Sequence, residues 1–280
     1  MTYTHALILG IVQGLTEFLP VSSSGHLVLA QQFFGMSENM VNFDIFLHFG
    51  TLLAELVVFR KSIIKLLSGC FKNGYSYITG KSSFAKMYTH SEDFRLLTAL
   101  IIGTIPAVLV GFTMKDSIER LFTSTIPVLI ALFFTGIVLI ATFFSKRGEK
   151  HFGLPEGFAV GIAQALAIIP GISRSGATIS AALFCGIKRQ EAGEFSFLLS
   201  IPVIIGATIL AVMDTAEPGG FTIVSGPYIT GAVAAFCSGW LSLVMLMRVV
   251  KRGKLGYFGF YCLIVALGGG VIYMTQCFFR

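Results

Sequence analysis

Long apolar runs alternate along the chain with short polar stretches, and two of the runs break off where a membrane-length helix should continue. A helix needs about 20 apolar residues to cross a ~30 Å hydrocarbon core. Residues 43–60, 94–113, 124–144, 192–213, 227–248 and 256–279 come close to or meet that length, each bounded by charges, which predicts six transmembrane helices. The run over 6–19 is too short, meets Pro20 and three serines, and resumes only over about Leu27 to Phe34. This pattern predicts a re-entrant helical hairpin with its tip inside the membrane, tolerated only where protein or a wet cavity satisfies the backbone. A second such hairpin descends over 156–169, turns through Pro170 to Ser175 and returns over 176–187.

The two broken runs are copies of one another. A shift of 151 positions, from Gln13 to Gln164, also matches Gly10 with Gly161, Ile11 with Ile162, Leu15 with Leu166, Ser22 with Ser173, Ser24 with Ser175 and Gly25 with Gly176. The expected architecture is an all-α polytopic membrane protein: about six spans and two re-entrant hairpins in an inverted-topology repeat, its functional groups near the midplane. It is expected to be a single integral membrane domain, with repeat one over about 1–113, a link over 114–150 and repeat two over about 151–280.

Composition agrees: the 280 residues are 55% hydrophobic and 12% charged, with a mean hydropathy of +0.83, far more apolar than a soluble domain. The net charge of +6 sits in short clusters between apolar runs, the pattern of cytoplasmic loops and not of a nucleic-acid surface. With the stretch from Arg60 to Arg95 inside, the clusters at 146–150, 188–189 and 248–254 also lie inside, leaving only Lys115, Arg120 and Arg280 outside. That sidedness opens the first hairpin outward and the second inward. Five scattered cysteines without a CxxC pair exclude the usual zinc and redox motifs. The amino terminus lacks the basic region of a cleaved signal peptide.

Within this apolar frame a few residues carry chemistry. Gln13 and Glu17 share a helix face with Gly10 and Gly14. The glycines suit helix packing, whereas a mid-membrane carboxylate costs ~2.5–3.5 kcal/mol and calls for a partner, a cation or water. Ser22, Ser23, Ser24 and Gly25 precede one returning helix, and Ser173, Ser175 and Gly176 the other. A serine there is worth about 1 kcal/mol as an N-cap, and two helix starts aimed at one locus would also hold a phosphate or pyrophosphate. Arg174, the one basic residue placed inside the membrane, either neutralises Glu17 or grips phosphate oxygens. His26 follows Ser23 by three positions and is either a packed histidine or a general acid or base. His48 and Glu55, seven apart, either border the cavity or pair locally; Glu194 reads as a helix-start carboxylate, and Asp214 and Glu217 as an outer loop.

The runs from Gly14 to His26, from Pro170 to Thr178 and from Glu194 to Leu199 resemble the signatures of undecaprenyl pyrophosphate phosphatase, the bacterial bacitracin-resistance family, in the same order over nearly the whole chain. The resemblance implies a multi-pass enzyme of the bacterial inner membrane that removes the terminal phosphate of the C55 prenyl pyrophosphate and regenerates the lipid carrier for envelope polymers. It implies catalytic roles for Glu17, Ser23, His26 and Arg174, and a phosphate-binding set of Gln13, Ser22, Ser24, Gly25, Gly171, Ser173, Ser175, Gly176 and Thr178. It implies a divalent cation, magnesium with calcium as the alternative, on Glu17 with Gln13 as a second ligand. Gln13 supplies no charge, so coordination would rest on Glu17 and the substrate phosphates, as magnesium tolerates. It also implies bacitracin as a competitor that binds the substrate, and is compatible with a homodimer in the bilayer. For the nucleophile two candidates stand: Ser23, favoured at its helix start, with His26 or Glu17 taking its proton, or His26 attacking directly. The sidedness places the site on the periplasmic or exterior face. The rival functions are a prenyl-phosphate transporter or flippase in the same inverted-repeat cavity, and a structural scaffold.

Overall fold

The computed structural model describes residues 1–35, 41–79, 83–114, 125–215 and 226–278, and every regular element among them is helical. The first hairpin is α1 (Tyr3–Phe18) and α2 (Ser23–Phe33), followed by α3 (Val41–Ile78), a short α4 (Phe84–His90), α5 (Glu92–Thr113) and α6 (Thr125–Ala141). The second is α7 (Leu154–Leu166) and α8 (Arg174–Phe184), followed by α9 (Arg189–Thr215), α10 (Gly226–Lys251) and α11 (Tyr257–Phe278). Helix starts are written locally: the hydroxyls of Thr2, Ser83, Ser91 and Ser173 accept from the N–H groups of His5, Lys86, Phe94 and Gly176, and Pro155 sits in the first turn of α7.

Six helices among the described residues are long and apolar enough to cross a membrane: Asn42–Tyr77, Glu92–Thr113, Thr125–Phe144, Arg189–Leu210, Gly226–Lys251 and Tyr257–Thr275. Large apolar side chains such as Phe112, Phe134, Ile264 and Leu267 are exposed on them, as a lipid-facing surface requires. The chain is a multi-pass membrane protein. α3 differs from expectation, because the helix does not stop near Arg60 but runs 38 residues, about 57 Å at 1.5 Å per residue. Charges end a span without ending a helix, and the stretch after Arg60 is rich in helix-forming Lys, Leu and Ile.

The helices pair crosswise: α1 of the first hairpin lies along α10, and α7 of the second lies along α5. Small residues allow both approaches. A Cβ on Gly10 or Gly14 would strike the α10 backbone at Gly231 or Ala235, and one on Gly157 or Gly161 the α5 backbone at Ala99 or Gly103. Ser242 Oγ donates to Gly14 O at 2.8 Å across the first seam. Such reciprocal exchange fits two inverted copies. The crossed seams bring the loop after α1 and the loop after α7 together, beside α3, α6 and α9.

Candidate active site

The two loops meet on Glu17. Its carboxylate ends α1 almost wholly buried, and three donors converge on it. Arg174 Nη2 donates to Oε1 at 2.7 Å, while Ser23 Oγ and Gln13 Nε2 donate to Oε2 at 2.6 and 3.0 Å. Arg174 begins α8 and Ser23 begins α2, so one ion pair joins the two hairpins across 157 positions of sequence. The single proton of Ser23 is held by Glu17, which leaves the lone pairs of its oxygen free for attack.

Both helix starts have the same cap. Ser22 Oγ lies 3.3 Å from Ser24 Oγ and accepts from Gly25 N at 3.4 Å; Ser173 Oγ lies 3.3 Å from Ser175 Oγ and accepts from Gly176 N at 3.1 Å. The loops reach these caps differently. Gly171 takes the left-handed conformation in the second (φ 97°), whereas Ser22 itself takes it in the first (φ 69°), a conformation that a residue with a Cβ enters at a cost of about 1–2 kcal/mol.

Above Glu17 opens a cavity of about 380 Å³. Glu17, Ser22, Ser23, Ser24, Ser173 and Arg174 form one polar group of its lining, Ile168, Ile172, Val203 and Ile204 with Ala167 and Ala207 an apolar wall, and Asp44, His48 and Thr208 add further polar side chains. The arrangement sets the anion-binding groups Arg174 and the serines of the two helix starts in one cavity with an apolar wall. The other expected residues lie behind this wall. Gly25 and Gly176 let the helix starts approach Val128 and Pro20. Gly171 O accepts from Thr135 Oγ1, and Thr178 Oγ1 donates to Arg174 O at 2.7 Å and lies 2.5 Å from Ser196 Oγ. The third motif, around Ser196, therefore holds α8 in place, and Phe195 and Phe197 beside it are buried.

His26 is not where its sequence position suggests. Its Nδ1 pairs with Ser22 O at 2.9 Å and its Nε2 with Tyr261 Oη at 2.8 Å, with the ring stacked on Tyr261, so both nitrogens are engaged away from Ser23 and Glu17. His48, with the weaker claim from sequence, borders the cavity with Nε2 3.9 Å from Glu17 Oε2. Glu55 is fully buried and accepts from Ser200 Oγ at 2.7 Å; Glu194 accepts from Ser62 Oγ on α3, a tertiary contact beyond a helix-start role. Asp214 is placed in α9, and Glu217 lies outside the described residues.

No cluster of three His, Cys, Asp or Glu side chains suited to a metal occurs among the described residues. The residues that would hold a cation here are Glu17 and Gln13. Gln13 Oε1 is buried beside the carboxylate without a hydrogen-bond partner, an acceptor for which a cation would compensate.

The fold and site together define a helical membrane protein whose cavity joins Arg174 and two serine-capped helix starts to an apolar wall. Residues 6–268 match the family model of the bacitracin resistance protein BacA, and the chain belongs to that family. It is 41% identical over 271 residues to an undecaprenyl-diphosphatase of Desulforapulum autotrophicum, covering 95% of this chain and 97% of the relative. It is also 41% identical to undecaprenyl-diphosphatase 3 of Bacillus anthracis over 93% of this chain and 94% of that one, and 42% identical to an undecaprenyl-diphosphatase of Desulfatibacillum aliphaticivorans over 95% and 96%.

Proposed function

We propose that this protein hydrolyses undecaprenyl pyrophosphate to undecaprenyl phosphate and inorganic phosphate, recycling the lipid carrier in the bacterial inner membrane. The observation that carries the proposal is Ser23 Oγ held 2.6 Å from Glu17, with Arg174 on the same carboxylate, in a cavity with an apolar wall. The apolar wall accepts the first part of the prenyl chain, and Arg174 and the serines take the pyrophosphate. Arg174 exchanges its contact with Glu17 for phosphate oxygens, and the helix starts supply further N–H and hydroxyl donors to the charge that develops in transfer. Ser23 attacks the terminal phosphorus as Glu17 takes its proton, and prenyl monophosphate leaves. Glu17 and Gln13 Oε1 would hold a divalent cation that, when bound, neutralises phosphate charge.

The cavity is walled by the start of α3 and the later half of α9, both on the outer side by the distribution of Lys and Arg. This supports an active site open to the periplasm or exterior. There bacitracin, by binding the same pyrophosphate lipid, competes with the enzyme. The test is phosphate release from the C55 lipid by purified protein in detergent, with magnesium, with calcium and with EDTA. Release restored by either ion and abolished by EDTA supports the proposal with its cation; equal release in EDTA removes the cation, and no release under any condition refutes the hydrolysis.

A further inference from the structure

Hydrolysis through Ser23 needs a second proton acceptor. Once the serine carries the phosphoryl group, Glu17 holds the proton it took and must return it, so the incoming water needs another base. His26 does not meet that need, since both of its ring nitrogens are bound to Ser22 O and Tyr261.

His48 does. Its Nδ1 lies 2.8 Å from the carbonyl oxygen of Asp44, one helical turn back on α3. A carbonyl only accepts, so Nδ1 carries a proton and, in the neutral ring, the lone pair falls on Nε2. That nitrogen lies 3.9 Å from Glu17 Oε2, beyond hydrogen-bond length. The ring borders the cavity with Ser23 and Arg174, and its side chain is 39% exposed there, room enough for water. Asp44, whose Oδ1 accepts from Gln31 Nε2 at 3.0 Å, is the other carboxylate in the cavity wall.

We propose that His48 is a catalytic residue of the second half-reaction, its Nε2 receiving the proton of the water that hydrolyses phosphorylated Ser23. This rests on the phosphatase function proposed above. In the first step the Ser23 Oγ–P bond forms, the anhydride P–O bond breaks and the Ser23 proton passes to Glu17. In the second the water O–P bond forms, the Oγ–P bond breaks, the water proton passes to His48 Nε2 and Glu17 returns its proton to Oγ. Inorganic phosphate leaves, and His48 releases its proton to the aqueous cavity.

The experiment is rapid-quench turnover of farnesyl pyrophosphate by wild type, His48→Ala and His48→Gln at matched folded yield, with phosphorylated Ser23 sought by mass spectrometry of the quenched protein. His48→Ala is expected to keep a burst of farnesyl monophosphate near one per site, to lose about 10²-fold in steady-state turnover, and to accumulate phosphorylated Ser23. His48→Gln, which can hydrogen-bond the water but cannot take its proton, is expected to turn over as slowly as His48→Ala and to accumulate phosphorylated Ser23 likewise; recovery by Gln would overturn the base role. Wild-type turnover in His48→Ala overturns the proposal and leaves the phosphatase standing, as does loss of burst and turnover together. A folded wild type that releases no product refutes the phosphatase and this proposal with it.

Discussion

Around Glu17 one carboxylate is ion-pair partner of Arg174, acceptor of the Ser23 hydrogen bond and tie between the hairpins, and in the proposed function it is also the base for Ser23. Glu17→Gln removes the base for Ser23, and turnover should fall about 10²–10³-fold in steady-state phosphate release at matched folded yield. Arg174→Ala should also cost stability, because a buried carboxylate left without its cation is penalised by about 3–5 kcal/mol. Combining it with Glu17→Gln should restore much of the thermal stability in detergent while turnover stays lost; a double variant no more stable than Arg174→Ala would contradict this. The polar residues of this centre were visible in the sequence because an apolar chain has little other use for them. The partnership of His26 was not. Three positions from Ser23 on a helix suggested contact, but the ring is held by Ser22 O and by Tyr261, 235 positions away, and no local pattern encodes that contact. His48 was visible only as a polar residue in a span, because its approach to Glu17 depends on how α3 packs beside α1.

The crossed seams α1–α10 and α5–α7 hold the two helix starts face to face, and both depend on glycine where backbones touch. Gly14→Val places a side chain against the α10 backbone at Ala235 and against Ser238, and should lower stability by about 1–3 kcal/mol. Gly111→Ala, where a Cβ meets nothing within 4 Å, is the control and should be neutral or slightly stabilising. Thermal denaturation of both variants in detergent checks the pair, and equal melting of the two would show that the seam tolerates bulk. Hairpins and spans were readable at this scale because length against membrane thickness is a strong rule. The extent of α3 was not, because a charge pattern locates the edge of a bilayer and says little about where hydrogen bonding stops.

The whole molecule fits two inverted copies that each contribute one helix start to a shared centre, and the proposed function puts that centre on the outer side. In a background whose native cysteines are serine, Ser37→Cys should react with an impermeant thiol reagent in intact cells, whereas Cys70 restored alone on α3 should react only after permeabilisation. The opposite pattern would invert the orientation. The repeat was legible in the 151-residue shift, whereas the crosswise pairing of its halves emerges only in three dimensions, where each hairpin packs on the opposite copy. The most direct measurement is phosphate release from a short, soluble prenyl pyrophosphate, without any bilayer, by wild type and Ser23→Ala purified to the same folded yield. The account predicts steady release by wild type and a loss of at least about 10³-fold in Ser23→Ala. Undiminished release by Ser23→Ala would contradict the assignment of the nucleophile, and no release by folded wild type, on this substrate or the C55 lipid, would contradict the enzyme.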